Sequence, residues 1–237
     1  MALVPRPVAN PSDRRRVMRA WAPLALALVA GPALAAIDVD LTGYTAAERA
    51  GAAVPVTGRA FAERRKPDVP DTPLVGASVV ALPRSEALIR RLEQLRDGAR
   101  DSASAYREAA RLMQRAREAY ERELWNAGAA QLVRNAVVDS TGRFDLGQLP
   151  EGRWIVVAVW DRLVSATGAK PDTKDRGVYL PPTRLTGYRS RLVWLRDVAV
   201  SRADQPTLEL TDRNVWFTGV VEERVQDAGP PPGRRPR

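Results

Sequence analysis

Carboxylates, aromatic rings and three lysines are the chemically capable side chains of this chain, because histidine and cysteine are both absent. Without imidazole there is no Ser-His-Asp triad, no imidazole general base and no imidazole zinc site. Without thiol there is no thiolate nucleophile, no disulfide, no Cys-ligated metal and no lipidated cysteine. A carboxylate pair about 5 to 10 Å apart could still hydrolyse a glycoside, but no Asp and Glu stand out for that role. Asp38 lies close to Asp40, and Asp172 to Asp175, yet neither pair opens a twelve-residue calcium loop with its terminal Glu. Lys66, Lys170 and Lys174 fall in predicted loops, which excludes the buried lysine an intramolecular isopeptide bond needs. The chain therefore reads as non-enzymatic, with no catalytic residue, no cofactor and no metal.

Binding chemistry has more candidates. Trp125, Trp154, Trp160, Trp194 and Trp216 could form a sugar-stacking platform, although Trp154, Trp160 and Trp194 lie in strongly apolar segments where core packing is the expected use. Tyr179 and Tyr188 sit in a long polar stretch beside Pro181, Pro182 and Gly187, and are candidate ligand-binding residues because loops on a rigid scaffold often carry function. Tyr106, Met113 and Tyr120 fall on one helical seam and are candidate anchors for a partner or a second copy; the alternative is that the seam packs on the protein's own sheet.

The elements that position these residues follow from their periods. Val54, Val56, Gly58, Ala60 and Ala62 alternate with polar neighbours and predict a strand, with Pro55 suggesting an edge. A Pro-rich loop, Arg64 to Pro73, leads to a second strand, Ala77 to Leu82. From Ser85 to Ala127, Leu88, Leu92, Leu95, Ala99, Ser102, Tyr106, Ala109, Met113, Ala116 and Tyr120 recur at spacings of four and three, which predicts helix. Charge pairs Glu86 with Arg90, Glu93 with Arg96, Glu108 with Arg111 and Glu118 with Arg122 support it. One rod would be about 65 Å long; a break at Asp97-Gly98 with Ser102 as a fresh N-cap would give a hairpin instead.

After Asn126-Ala127-Gly128, a strand is expected over Gln131 to Val138, then a hairpin turn at Asp139-Ser140-Thr141-Gly142 and a second turn at Leu149-Pro150-Glu151-Gly152. Trp154 to Trp160 is apolar on both faces, so a layer is needed on each side and the helical insertion is the expected outer one. Strands over Arg191 to Val200, Thr207 to Thr211 and Val215 to Val221 follow the loop Arg162 to Thr186. About seven short strands make a sandwich, so the expected class is mainly β with a helical insertion, a transthyretin or immunoglobulin-like sandwich.

The first residues read as an export signal. Arg14, Arg15, Arg16 and Arg19 precede a 15-residue apolar run, Trp21 to Ala35, that ends Ala33-Leu34-Ala35. The run is short of the roughly 20 residues a membrane span needs, and Pro23 and Pro32 interrupt it. Cleavage is expected after Ala35, with either Met1 or Met18 as the start, and an uncleaved anchor or a twin-arginine signal as alternatives. The net charge of +9 is concentrated at the two ends: residues 1–35 hold five Arg and one Asp, and Arg224 to Arg237 hold four Arg and one Asp. Only +2 remains between, too little for the basic face of a nucleic-acid binder. The expected organisation is a signal peptide over 1–35, a linker over 36–53 that builds no core, a sandwich over 54–223 with its insertion at 85–127, and a disordered Pro/Arg tail over 224–237.

The passages VTGRAF, PLVGASVVAL and VVDSTGRFDLGQLPEGRWIVVAVW resemble the carboxypeptidase regulatory-like domain, a small transthyretin-like β-sandwich common in secreted and envelope proteins. The resemblance covers roughly 54–82 and 131–161, and Asp139, Gly142, Phe144, Leu149, Pro150, Gly152 and Trp154 carry it. The insertion and the region beyond Arg162 lie outside it. It implies an exported, periplasmic or secreted sandwich without activity of its own, working as a binding or structural accessory of the envelope. A carbohydrate-binding module of similar fold is the alternative. The implied partners are an envelope protein, a second copy through the inserted helix, or a polysaccharide, with no nucleic acid and no transmembrane span after leader cleavage.

Overall fold

A computed structural model describes residues 37–64, 66, 68–165, 183–203 and 205–227. The leader, the tail beyond Asp227, Tyr179, Asp172, Asp175, Lys170 and Lys174 lie outside the described residues.

The first ordered element corrects the linker expectation. Asp40 accepts the Thr42 N–H at 2.9 Å and caps helix α1, Leu41–Arg49. Tyr44 of this helix is buried, meets Trp154 edge-on at 5.3 Å between centroids, and donates its hydroxyl to the carbonyl of Arg153. A nine-residue helix docked mainly through one ring shows no sustained apolar period, so segment 36–53 reads as linker although it contributes to the core.

Among the described residues, nine strands form two sheets. In the first, β1 (Ala53–Ala62) pairs antiparallel with the short β2 (Thr72–Pro73) and with β5 (Arg143–Pro150), and parallel with β8 (Thr207–Thr211). Strand β1 is therefore central, contrary to the edge expectation. Pro55 is tolerated because pairing with β8 begins only at Thr57, and a register shift against β5 separates Pro55 from Thr57. The second sheet is antiparallel throughout, in the order β4 (Arg134–Val137), β3 (Ser78–Pro83), β6 (Gly152–Ser165), β7 (Thr183–Val200) and β9 (Phe217–Asp227).

The two turns form where their sequences require, but the first does a different job from the one expected. Asp139 Oδ1 accepts the N–H of Thr141 at 2.8 Å and of Arg143 at 2.9 Å, and Gly142 takes φ +80°. The bonds from Arg143 and Thr141 hold the Asp139 carboxyl below the usual carboxylate range. Yet β4 lies in the second sheet and β5 in the first, so this turn is a corner between sheets and not a hairpin. The Pro150–Gly152 corner returns the chain to the second sheet. Its Gly152 has φ +149°, and a Cβ there would stand 2.8 Å from the Tyr44 ring.

The insertion is a pair of helices, which decides between rod and hairpin. Helix α2, Glu86–Gly98, is capped by Ser85 through Leu88 N at 3.0 Å. Helix α3, Ala103–Asn126, is capped by Ser102 through Ala105 N at 3.0 Å. Of the four charge pairs, Glu108 with Arg111 forms at 3.3 Å, while Glu86 turns to Arg84. A 3-10 turn, Ala130–Leu132, and the four-residue β4 occupy the predicted strand Gln131 to Val138.

Strand β6 has the two covered faces its apolar sequence demands. Its residues Trp154, Ile155, Val156, Val157 and Ala158 are all buried, some against the first sheet and some under the helices. Strands β6, β7 and β9 run on to Ser165, back to Thr183 and on to Asp227, past the ends their apolar cores predict and into the expected tail. Backbone pairing carries this ribbon, and its described side chains show no buried apolar stripe to announce it in sequence. No helix of the described residues is long and apolar enough to cross a membrane.

Candidate functional site

Helix α3 crosses the outer face of the second sheet and is tied down at two places. Over β3, the Tyr120 hydroxyl donates to the Pro83 carbonyl at 3.1 Å. Over β9, Arg111 Nη2 donates to the Val221 carbonyl at 2.6 Å and Arg107 pairs with Glu223 at 2.8 Å. Close approach to β9 needs Gly219, where a Cβ would sit 2.9 Å from the Ala110 Cβ. Between these ties the helix bridges the two central strands, whose outward residues there are short, and a cleft of about 350 Å³ remains beneath it.

The floor of the cleft is Val157, Val159, Val193 and Leu195, and its walls are Leu92, Ala110, Met113 and Trp216. Trp216 is fastened by its backbone N–H to the Val193 carbonyl at 2.9 Å, and the Arg96 guanidinium lies 4.9 Å from its ring centroid. Ser78, Gln114, Arg117, Asp161 and Arg191 supply the polar lining. Arg191 is fully engaged. It donates to both carboxylate oxygens of Asp161, at 2.7 and 2.8 Å, and also to Gln114 Oε1.

Arg117 differs. Its side chain is 18% exposed, and its Nε stands 3.5 Å from Glu121 Oε1, an ionic contact without a hydrogen bond. Partial burial pushes the Glu121 carboxyl up, against the pull of Arg117. The guanidinium therefore brings donors to the cleft that no acceptor among the described residues takes up. The described residues hold no cluster of three or more metal-ligating side chains. Apolar enclosure beside a charged group is the usual composition of a small-molecule pocket.

The sequence candidates are scattered. Met113 lines the cleft and Tyr120 is buried on β3, so this part of the seam packs on the chain's own sheet. Tyr106 is 37% exposed and leans on Phe217, 6.1 Å between centroids. Tyr188 is half-buried on β7 opposite Val164. Trp154 and Trp194 are core residues whose Nε1 atoms donate to the carbonyls of Pro150 at 2.9 Å and Thr211 at 2.8 Å. Trp160 is half-buried and donates to the Val75 carbonyl, whereas Trp125 is 72% exposed. Asp38 and Asp40 cap helices: Asp38 accepts from Ser85 Oγ at 2.6 Å and Ala87 N at 2.7 Å. Lys66 is exposed. Trp216, a candidate for a stacking platform, is a wall of the cleft instead; Arg117, Asp161 and Arg191 carry no signal in the sequence beyond the run of outward apolar positions 155, 157 and 159 that ends in Asp161.

No protein-family model matches the chain. No curated protein matches it. Among solved structures, a protein of Pseudomonas aeruginosa provisionally described as carbohydrate-binding is similar at TM-score 0.39 and 12% identity, over 73% of this chain and 97% of its own. The pilus backbone of Streptococcus pneumoniae is similar at TM-score 0.20 and 16% identity, over 44% of this chain and 30% of its own. Overlaps this loose carry no argument about function, and the sandwich assignment rests on the strand pairing itself.

Proposed function

We propose that this chain is an exported, non-enzymatic binding module of the cell envelope and that the cleft beneath α3 is its binding site. The cleft carries the reading: a largely apolar hollow of about 350 Å³, within the range of roughly 300–1,000 Å³ typical of small-molecule sites, bordered by a few fixed polar groups. Support for export comes from the basic and apolar leader with its Ala33-Leu34-Ala35 end. The turn and core residues shared with carboxypeptidase regulatory-like domains support an accessory role. Tyr106 is the exposed aromatic residue of the seam and the anchor available to an envelope protein or a second copy.

The test uses anilinonaphthalene sulfonate, a dye that fluoresces in apolar sites. Ser78 is exposed and lines the cleft, so Ser78→Trp fills it without disturbing the core. The expected result is bright dye on the wild-type protein and a severalfold loss in the variant at unchanged far-UV dichroism. Equal fluorescence in the two would contradict the assignment.

A carbohydrate-binding module is the second reading, and Trp125, open at the end of α3, favours it because its ring is free to stack on a sugar. Loss of retention on an insoluble polysaccharide in Trp125→Ala, with dye binding unchanged, would move the site from the cleft to that ring.

A further inference from the structure

Of the two guanidinium groups on the cleft, one is saturated by Asp161 and Gln114, and the other, on Arg117, makes no hydrogen bond among the described residues. An arginine presents five N–H donors in a planar fork that matches a carboxylate in two parallel bonds. Glu121 does not provide that match, since it meets Arg117 at 3.5 Å through Nε and leaves its own Oε1 buried without a partner. Asp161 is held by Arg191. An acceptor for Arg117 is thus the missing component of the cleft.

The rest of the lining fixes what the acceptor is attached to. Arg117 shares a face of α3 with Ala110, Met113 and Gln114, at spacings of seven, four and three, so the fork opens beside the Met113 side chain. Beneath lie Val157, Val159, Val193 and Leu195, none of which donates or accepts through its side chain. Along β7 the lining changes from Arg191 through Val193 to Leu195, polar at one end and apolar at the other over about 13 Å of strand. A sugar would bury hydroxyls without partners on this floor, at the desolvation penalty of each. An unbranched hydrocarbon chain incurs no such penalty.

Building on the assignment of the cleft as the binding site, we infer that its ligand class is the straight-chain monocarboxylate, with the carboxylate in the fork of Arg117 and the chain on Met113, Val157, Val193 and Leu195. Gln114 and Arg191 hold each other and Asp161, so the polar end is pre-formed and Arg117 alone is left to recognise the charge.

Octanoate and octanol share a tail and differ in the head, which separates the two parts of the inference. Titration of the purified protein by calorimetry, with tryptophan fluorescence as a second readout through Trp216, is expected to give octanoate binding at least tenfold tighter than octanol. Arg117→Gln is expected to weaken octanoate by about 10- to 100-fold, the range for a hydrogen bond to a charged group, and to leave octanol unchanged. Arg117→Lys keeps the charge without the fork and should fall between; it also serves if the glutamine variant does not fold. Equal affinity for the two ligands, or octanoate binding indifferent to both Arg117 variants, would overturn the carboxylate assignment while the cleft stands, provided Ser78→Trp still abolishes binding. Binding of neither ligand, together with dye fluorescence indifferent to Ser78→Trp, would overturn the cleft as well.

Discussion

On β6, Trp154 and its alternates meet the first sheet, while Val157 and Val159 meet two helices. The inner face is closed: two tryptophans fill the space and each indole N–H reaches a backbone carbonyl. The outer face is covered by α2 and α3 but less tightly: α3 is tied down at Pro83 and at Val221, and the cleft lies between the ties. A second sheet follows the twist of the first and seals against it; a straight helix laid across a twisted sheet touches along its ties and leaves room between them. The same strands thus supply a packed core on one side and an apolar hollow on the other, from alternate residues of one short sequence.

Substitutions should feel that difference. Trp194→Ala is expected to lower stability in urea by about 3–5 kcal/mol, or to prevent folding, since it opens a cavity in the closed layer. Leu195→Ala, its neighbour on the cleft side, should cost only about 1 kcal/mol because part of its surface already faces the hollow. Comparable losses for the two would mean that the faces are equally packed. Gly152→Ala is next in size, about 2 kcal/mol, from a backbone conformation other residues avoid and from displacement of the Tyr44 ring; thermal unfolding measures it. Ser85→Ala removes a cap that also reaches Asp38, and should lower the unfolding free energy in urea by about 1–2 kcal/mol.

The mildest effect appears in alkali. Burial, helped by the negative charge of Asp38, raises the Tyr120 phenol above its ordinary value near 10. A raised group stabilises the fold below its unfolded pKa, and that contribution is lost as pH climbs beyond about 10 towards the folded value. Stability should therefore decline above about pH 10, and Tyr120→Phe should flatten the decline while Tyr44, raised mainly by burial, keeps part of it. A Tyr120→Phe protein with an unchanged alkaline slope would separate this phenol from the attachment of α3.

Much of the fold was written in the local pattern. Ser85 and Ser102 announce the helices they cap, Asp139 and Pro150 announce turns, and the unbroken apolar run of β6 announces a layer on each side. Pairing partners were not so written. The Asp139 turn looks the same whether it joins neighbours or passes the chain between sheets, because its own bonds are local. Helix α1 has no legible period because Tyr44 is its one fully buried residue, with Leu41 only partly covered. The cleft escaped for a different reason: Arg117 with Glu121 four residues on has the spacing of an ordinary solvated pair, and only the crossing of α3 over β6 and β7 turns that arginine towards an apolar floor.

The most direct test is methyl NMR of the protein during titration with octanoate, following Met113, Val157, Val193 and Leu195 beside Leu149, Val156 and Leu210 of the sandwich core. Saturating shifts at the first group, with the core methyls unmoved, are the predicted result. Shifts confined to residues around Trp125, or shared equally by the core methyls, would contradict a binding cleft beneath α3.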